Sequence, residues 1–307
     1  MHPTAARELP ADQGAWAFEP KWDGYRALGH VVSGELALRS RNGVDMAGWF
    51  PELGGLAGAL GGHVGVLDGE VVAFDDAGRP SFEALQQRMA GRVGRRRGAA
   101  VAYLVFDLLW LDGRLLTGLP YVERRRLLED LEVAGPAWQT VASFPGTGTA
   151  LLAATREQGL EGVVAKRLHS IYVPGRRTRN WLKTKHHQRE TFLVGGFVPD
   201  RGQVRSLLVG LPDPKRPGRL RFAGRVDHGL VPAARRRVGE LLGPLVVDDS
   251  PFTEPPAALL GGRWARPGPD DPPPVFVRPE LAVEVTFLGW ESGRLRHPAW
   301  SGLSQLL

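Results

Sequence analysis

Lysine is scarce in this chain, and its positions single out residues that could do covalent chemistry. Only five of the 39 Lys and Arg residues are lysine, namely Lys21, Lys166, Lys183, Lys185 and Lys215. Arginine stays protonated at any accessible pH, whereas lysine becomes a nucleophile once burial or nearby cations lower its pKa. Lys21 follows a proline and precedes an Asp-Gly turn in "FEPKWDGYRAL", with Arg26 five residues on. An amine near a cation suits attack on an anionic phosphorus centre, so Lys21 is the predicted nucleophile.

Two further lysines form a second candidate group. Lys183 and Lys185 are two residues apart in "WLKTK", so on a β-strand their side chains point to the same side. Two ammonium groups on one side suit a phosphate that gains negative charge in a transition state. Lys166 lies five residues after Glu161, which on an ideal strand would turn the two side chains to opposite faces. We still predict Lys166 as a site residue.

The composition excludes several other chemistries. The chain has no cysteine, which rules out disulfides, thiol catalysis and cysteine-based zinc sites. Its eight histidines form no H-E-x-x-H motif. No G-x-x-x-x-G-K-[ST] segment is present, so a nucleotide would not be held by a P-loop.

The charge balance is basic, with a net charge of +6 and a pI of about 10.0. Basic clusters occur at 91–98, 123–126, 175–179 and 234–237. They indicate either a polyanionic partner such as nucleic acid or an arginine-rich solvated surface, and composition alone leaves both open. No N-terminal segment has a signal-peptide pattern, and the longest apolar run, 99–111, is too short to span a bilayer. We therefore expect a cytoplasmic protein without a membrane partner.

The first half of the chain alternates short apolar runs with turn signals. Strand patterns occur at 35–40, 65–75, 101–111 and 161–167, and helical patterns at 81–90, with Ser81 as N-cap, and at 122–131. In the second helix Leu127, Leu128 and Leu131 share one face. The elements follow no regular βαβ order, which favours an α+β fold over a doubly wound sheet.

After about residue 188 the pattern changes to closely spaced strands. Strand patterns occur at 190–198, 204–211, 220–226 and 279–290, with a helical stretch at 232–245 and a Pro-rich, exposed loop at 265–274. Several strands with one helix in a segment of this length are typical of a small β-barrel such as an OB-fold. We therefore predict two domains, at 1–188 and 189–307.

The segment "KWDGYR" (21–26) resembles the K-x-D-G-x-R motif of the covalent nucleotidyltransferases, which include ATP-dependent DNA ligases, RNA ligases and mRNA capping enzymes. Other elements of that superfamily follow in order, matched by "SRNG" (40–43), "LDGEVVAFD" (67–75), "AYLVFDLLWLDG" (102–113), "EGVVAKR" (161–167), "WLKTK" (181–185) and "RLRHPAW" (294–300). "FEALQQR" and a Y-x-P-G-R-R segment are similar to bacterial ATP-dependent DNA ligases, especially the ligase module of end-joining ligase D and the stand-alone ligase C.

The resemblance implies a role for each matching residue. Lys21 would attack the α-phosphate of ATP, forming lysyl-AMP and releasing pyrophosphate, while Lys183 and Lys185 bind and activate that phosphate. Glu161 would help to hold a divalent metal ion, Mg²⁺ or Mn²⁺. The other residues assigned to ATP or phosphate are Glu19, Arg26, Arg41, Glu70 (on the ribose), Phe106 (stacked on adenine), Lys166 and Arg296.

The resemblance also implies a fold and a partner. The fold would be a nucleotidyltransferase domain of antiparallel sheets with flanking helices, followed by an OB-fold β-barrel. AMP would pass from Lys21 to the 5′-phosphate of nicked double-stranded DNA, and the 3′-hydroxyl would then displace it. The OB-fold and the arginine clusters would clamp the duplex through its phosphates. We expect a monomer at the nucleoid that acts in repair or end joining, where a Ku-type end-binding protein is a candidate partner.

Two other readings are open at this stage. An RNA ligase or a capping-type enzyme shares the same covalent chemistry. A non-catalytic nucleic-acid-binding module with a decayed site is the other alternative, and the presence of Lys21, Glu161, Lys183 and Lys185 argues against it.

The chain departs from the family after "RHP". Relatives usually continue with an ending like G-L-R-x-D-K, whereas this sequence reads "RHPAWSGLSQLL" and keeps only Arg296 of the charged residues. In the family that element closes over ATP during the first step. We therefore expect slow self-adenylylation, with the closure of a pre-adenylylated nick much less affected.

Overall fold

The computed structural model describes residues 1–90, 99–254, 272–291 and 293–304. By its internal packing the chain divides into two units, residues 1–186 and residues 187–307. Each unit has its own hydrophobic core. The domain boundary predicted after residue 188 stays a prediction.

One sheet of the first unit joins strands that are far apart in the chain. Its order is β1–β12–β11–β2–β10, and its pairs are antiparallel except for β1 with β12. The strands are β1 (His2–Ala5), β2 (Trp16–Lys21), β10 (Phe144–Pro145), β11 (Gly162–Arg167) and β12 (Arg177–Lys185).

In three adjacent strands of this sheet, alternation places polar side chains on one face and core side chains on the other. The facing rows across β2, β11 and β12 are Lys21–Gly162–Lys185, Glu19–Val164–Lys183 and Ala17–Lys166–Trp181. Every second residue of a strand points to the same side, so these three rows share one face of the sheet. The intervening residues include the members of a buried apolar cluster, Trp16, Phe18, Val163, Ala165 and Leu182. One face of these strands therefore carries the lysine and glutamate side chains, and the other face packs into the core.

A second sheet of the first unit has the order β4–β3–β5–β6–β9–β8, with β7 beside β6. Its strands are β3 (Tyr25–Val32), β4 (Glu35–Ser40), β5 (Gly65–Phe74), β6 (Ala100–Leu111), β7 (Arg114–Leu115), β8 (Ala134–Gly135) and β9 (Trp138–Thr140). The pairs are antiparallel except for β6 with β9. Leu38, Leu67 and Leu108 of this sheet are fully buried in the unit's main core.

Helices flank these sheets. They are α1 (Leu56–Ala59), α2 (Phe82–Ala90), α3 (Tyr121–Asp130) and α4 (Gly148–Glu157), with 3-10 turns at Gln13–Ala15, Ala47–Trp49 and Pro51–Gly55. Ser81 caps α2, because its Oγ accepts a hydrogen bond from the backbone N–H of Ala84 at 3.2 Å. Leu128 of α3 is fully buried, and Leu127 and Leu131 pack against the same core, which confirms the predicted apolar face. Throughout the part of the chain that the structure describes, each helix is too short or too polar to cross a membrane.

The basic cluster at 123–126 is largely internal. Arg124 forms two hydrogen bonds of 2.8 Å with Asp107, and both side chains are 0% exposed. Arg125 is also buried, and only Arg126 of the three arginines is exposed. The prediction that this cluster clamps DNA phosphates is therefore wrong for two of its three arginines, since their charges are used inside the fold.

The second unit is built around an OB-fold sheet. Its strands are β13 (Gln188–Asp200), β14 (Gln203–Pro212), β15 (Leu220–Val226), β16 (Val246–Val247), β17 (Val275–Val277), β18 (Ala282–Phe287) and β21 (Ala299–Leu303). β13 pairs with β14, β17 and β18, β14 with β15, β16 with β17, and β18 with β21. Among the described residues, continuous strand pairs do not close a barrel, but an isolated bridge between His228 and Ala299 links the residues after β15 to β21. The unit also contains α5 (Pro232–Leu242), a 3-10 turn (Gly243–Leu245) and the hairpin of β19 (Trp290–Glu291) and β20 (Arg294–Leu295).

The predicted α+β class and OB-fold are confirmed, with local corrections. The strand predicted at 279–290 is shorter, because β18 ends at Phe287 and Trp290 belongs to a separate hairpin. The helix predicted at 232–245 ends at Leu242, where Gly243 and Pro244 follow. The basic cluster at 91–98 and most of the Pro-rich loop at 265–274 lie outside the described residues.

Candidate active site

The polar face of β2, β11 and β12 lines a pocket of about 280 Å³ in the first unit. These strands contribute Glu19, Lys21, Val164, Lys166, Trp181 and Lys183. Residues outside them that line it include Arg26, Arg41, Glu70, Phe106, His2, Trp22 and Val141. Eight of the predicted site residues therefore meet at one pocket, although the sequence places them from position 19 to position 183.

A glycine fixes the turn that follows Lys21. β2 ends at Lys21 and β3 begins at Tyr25. A Cβ at Gly24 would lie 2.2 Å from the carbonyl oxygen of Val71, which is closer than any side chain can approach. Only glycine fits here, so the Asp-Gly turn holds the end of β2 firmly against β5.

Lys21 shares a buried carboxylate with Lys185. One oxygen of Glu161 pairs with Nζ of Lys21 and the other with Nζ of Lys185. Burial by itself lowers the pKa of Lys21, but the Glu161 and Glu70 carboxylates outweigh it, and the pKa is raised. Burial likewise raises the pKa of Glu161, but Lys21 and Lys185 outweigh it, and that pKa is lowered. The predicted lowering of the Lys21 pKa is therefore wrong for this arrangement of charges.

Glu161 reaches this face because strand alternation is broken beside it. Glu161 directly precedes β11, and Gly162 has a φ of +146°, a conformation that favours glycine. A Cβ at Gly162 would also lie 2.1 Å from the carbonyl oxygen of Thr184. The carboxylate contacts Lys21, which lies on the same face as Lys166. The ideal-strand expectation that Lys166 faces away from Glu161 is therefore wrong.

Lys183 has no ion pair with a carboxylate of the described residues, although Glu161 attracts it from a longer distance. It lines the pocket, and burial, followed by the nearby Lys185 and Lys21 ammonium groups, lowers its pKa. The two predicted lysines therefore differ in their contacts, since Lys185 pairs with Glu161 and Lys183 has no ion pair among the described residues. By pKa alone, Lys183 would be a better nucleophile than Lys21.

A second buried carboxylate, Glu19, lies two residues before Lys21 on the same face. Its Oε2 is 2.8 Å from Nζ of Lys166, and that ammonium donates a second hydrogen bond to the carbonyl oxygen of Phe106 at 3.0 Å. The ring centres of Phe106 and Trp181 each lie 4.4 Å from the ammonium. Burial lowers the pKa of Lys166 even though Glu19 opposes the shift. Rings and backbone shield this pair from bulk water, although both residues line the pocket.

Arg26 is held by a carboxylate that the sequence did not suggest. Its guanidinium forms hydrogen bonds of 2.9 and 2.5 Å with the buried Asp68. Tyr172 donates to the same carboxylate at 2.8 Å. The guanidinium carbon also lies 5.3 Å from the ring centre of Phe106. In this structure Arg26 orders the pocket wall, and its predicted contact with phosphate stays a prediction.

Two further predicted residues are less restrained. Burial raises the pKa of Glu70 to about 7, and the nearby Lys21 and Arg26 offset that rise only in part. Arg41 is exposed and lines the pocket without an ion pair to any described residue. Arg41 is therefore placed to meet an anion at the pocket mouth.

Arg296 belongs to the second unit, where its Nε lies 3.4 Å from a carboxylate oxygen of Glu291. Its predicted role with ATP stays a prediction. The sequence reasoning missed Asp68 and Trp181, although alternation could have found both: each lies two residues from a predicted site residue on its strand, Glu70 and Lys183 respectively.

The carboxylates beside Lys21 fit a divalent cation. Among the described residues no three His, Asp or Glu side chains form a group that could hold a metal by itself. Mg²⁺, however, usually binds through one or two carboxylates together with substrate phosphates and waters. Glu161 is a buried carboxylate with a lowered pKa, and Glu70 also faces Lys21. This donor set suits a cation that a phosphate ligand completes.

A lysine-lined pocket in an α+β unit, together with an OB-fold unit, defines a covalent nucleotidyltransferase of the ligase class. Two family models match the chain: the ATP dependent DNA ligase domain at residues 5–185 and the ATP dependent DNA ligase C terminal region at residues 200–305. The chain therefore belongs to the family of ATP-dependent DNA ligases, enzymes that form a covalent adenylate.

Individual relatives agree with this assignment. The multifunctional non-homologous end joining protein LigD of Mycobacterium bovis is 42% identical over 294 residues, which are 94% of this chain and 36% of the relative. DNA ligase C of Mycobacterium tuberculosis is 34% identical over 324 residues, 97% of this chain and 88% of the relative. The crystal structure of the ligase domain of M. tuberculosis LigD is 41% identical with a TM-score of 0.56, covering 98% of this chain and 93% of that one. The chain thus spans about a third of the length of its LigD relatives.

Proposed function

We propose that this protein seals nicks in double-stranded DNA with ATP and that Lys21 carries the AMP. The observation that supports this proposal is that Lys21 and Lys183 line one pocket, while Glu161 pairs with both Lys21 and Lys185 beside it. Nζ of Lys21 loses a proton and bonds to the α-phosphorus, and pyrophosphate leaves. The 5′-phosphate of the nick then takes AMP from Lys21. Finally the 3′-hydroxyl attacks that phosphate, closes the backbone and releases AMP.

The lysines near Lys21 would have different tasks. Lys183 has no ion pair among the described residues, so its ammonium is free to neutralise charge that develops on the α-phosphate. Lys185 fixes Glu161 beside Lys21. Glu161 would hold a divalent cation, whose charge would neutralise the phosphates and favour the amine form of Lys21.

Glu19 and Lys166, the enclosed pair in the pocket wall, would recognise the nucleotide base. A carboxylate has about four lone-pair sites and an ammonium has three donors, and the contacts of Glu19 and Lys166 leave some of each unused. An acceptor thus lies beside a donor. Adenine presents the complementary amino donor next to a ring acceptor, whereas guanine presents the reverse order. The pair therefore favours ATP over GTP.

Sealing of a labelled nicked duplex with ATP and magnesium tests the proposal. Lys21→Arg should abolish sealing, because a guanidinium cannot lose its proton to attack phosphorus. Lys215→Arg is the matched control, since Lys215 is an exposed lysine of the second unit and should keep full activity. Nicked RNA in place of DNA tests the RNA-ligase alternative. Sealing by Lys21→Arg at the wild-type rate would overturn the proposal.

DNA affinity should depend strongly on salt. The clusters at 175–179 and 234–237 keep exposed arginines, among them Arg176, Arg179, Arg236 and Arg237. If they contact phosphates, each charge removed should reduce the slope of log affinity against log salt by about 1. The slope of Arg176→Ala/Arg179→Ala is therefore expected to be about 2 smaller than that of the wild type. An unchanged slope would assign these arginines to a solvated surface.

We also propose a role in end joining, action as a monomer at the nucleoid, and a Ku-type partner. The support is similarity to LigD of Mycobacterium bovis, a multifunctional non-homologous end joining protein. Because the chain spans only a third of such relatives, partner binding needs its own test. Sealing of linear ends with and without purified Ku would provide it, and equal rates would argue against that partner.

A further inference from the structure

Two side chains of helix α3 contact Oε1 of Glu19, the carboxylate oxygen that does not pair with Lys166. The hydroxyl of Tyr121 donates a hydrogen bond of 2.5 Å to Oε1 of Glu19. Nη1 of Arg125 lies 3.9 Å from the same oxygen. Tyr121 is 1% exposed and Arg125 7% exposed, so both contacts are shielded from water. Oε2 pairs with Lys166, as described above, and the carboxylate is therefore held from two sides.

Arg125 connects this contact to the pocket wall. Its Nε donates to Glu129 at 2.7 Å, and its Nη2 donates to the carbonyl oxygen of Val141 at 2.5 Å. Val141 lines the pocket, whereas neither Tyr121 nor Arg125 does. Helix α3 thus reaches the pocket through Glu19 and through the backbone of Val141.

We propose that Tyr121 and Arg125 are positioning residues for recognition of the nucleotide base. The terminal torsion of a glutamate side chain is soft, so its lone pairs take a fixed direction only where partners hold the carboxylate. Tyr121 and Lys166 hold one oxygen each, and Arg125 adds its charge and fixes the adjacent wall. The proposal rests on the proposed function, in which Glu19 and Lys166 read the base.

Tyr121→Phe tests this role, because it removes one hydroxyl, which bonds to Glu19 and Ser143, and keeps the ring in the core. The assay is self-adenylylation with ATP and with purine riboside triphosphate, which lacks only the 6-amino group. The wild type should prefer ATP. In Tyr121→Phe the preference for ATP in kcat/KM should fall by about tenfold. The lost hydrogen bond is to a charged group, Glu19, and it orients the carboxylate that accepts from the 6-amino group of adenine. The loss should appear mainly in KM for ATP.

Tyr103→Phe is the matched control. Tyr103 is also fully buried, and within the described part of the chain its hydroxyl bonds only to backbone groups, the N–H of Gly29 and the carbonyl oxygens of Ala27 and Leu67. Its loss should lower thermal stability as much as the loss of the Tyr121 hydroxyl, or more, and leave the nucleotide preference unchanged. A change in preference of equal size in both variants would show that loss of packing, not positioning, is the cause.

Arg125→Gln tests the second residue and should reduce the same preference, with unfolding curves recorded to confirm that the variant is folded at the assay temperature. A wild type that is labelled by ATP but does not prefer it over the analogue would overturn the inference alone. So would wild-type preference in both Tyr121→Phe and Arg125→Gln. A wild type that ATP does not label would overturn the proposed function and the inference together.

Discussion

Two buried carboxylates on one sheet face are held by lysines, and their settings differ. Glu161 pairs with Lys21 and Lys185, whose side chains are 17% and 22% exposed. Glu19 pairs with Lys166, and these two side chains are 3% and 1% exposed. The first group can exchange its partners for a ligand's phosphates and a cation. The second cannot open to water without breaking its contacts to helix α3 and β6.

The difference shows that residue types alone do not define a reactive lysine. Lys21 and Lys166 each face a glutamate on the same sheet, but their pKa values move in opposite directions. Burial dominates for Lys166, which rings and backbone enclose, while two carboxylates dominate for Lys21. We infer that the partly open Glu161 end performs phosphoryl chemistry and that the closed Glu19 end provides a rigid recognition surface.

The largest expected effect is on chemistry at the open end. Glu161→Gln should slow self-adenylylation by about 100- to 1000-fold, the range seen when one preorganised charge contact is removed. Its free energy of unfolding should fall by less than that of Glu19→Gln, because Lys21 and Lys185 keep partial contact with water. Single-turnover labelling and urea unfolding measure the two quantities. A variant that is inactive only because it is unfolded would break the comparison.

At the Glu19 end, the larger effect should be on stability rather than on the rate of self-adenylylation. Glu19→Gln leaves the buried Lys166 without its counter-ion, and breaking such a pair costs about 3–5 kcal/mol of stability. The urea midpoint of Glu19→Gln should therefore lie well below that of Glu161→Gln. Equal midpoints for the two variants would show that burial does not separate the two carboxylates.

Glu70 sharpens the comparison, because it is a third carboxylate without a dedicated ion pair. Its pKa is raised to about 7 from an ordinary value of 4.5, so the folded protein keeps the proton that the unfolded chain releases. This contribution to stability is present at low pH and is lost as the pH rises through that window. Relative to the wild type, Glu70→Gln should gain about 1–3 kcal/mol in free energy of unfolding between about pH 5 and about pH 8. A pH-independent difference would contradict the assigned pKa.

Much of this arrangement follows from short-range pattern. Alternation in "WLKTK" correctly placed Lys183 and Lys185 on one side of β12, and the bounds of β4 and β15 match the runs 35–40 and 220–226. The pairing of β2 with β11 joins residues some 140 positions apart, and no local signal specifies such a contact. The sequence also contained no sign of the places where the structure departs from these patterns. The backbone at Gly162 moves Glu161 onto the polar face, and Arg124 and Arg125 enter the core although their run reads as a basic surface.

The most direct test of the account is to locate the AMP. Four of the five lysines lie on one face of the sheet, and Lys183 combines a lowered pKa with the absence of an ion pair among the described residues. Incubation with ATP and magnesium, followed by peptide mapping by mass spectrometry, distinguishes them. AMP is expected on Lys21 alone, with Lys166, Lys183 and Lys185 unmodified. AMP on Lys183 would contradict this expectation and show that the lower pKa, rather than the position beside Glu161, selects the nucleophile.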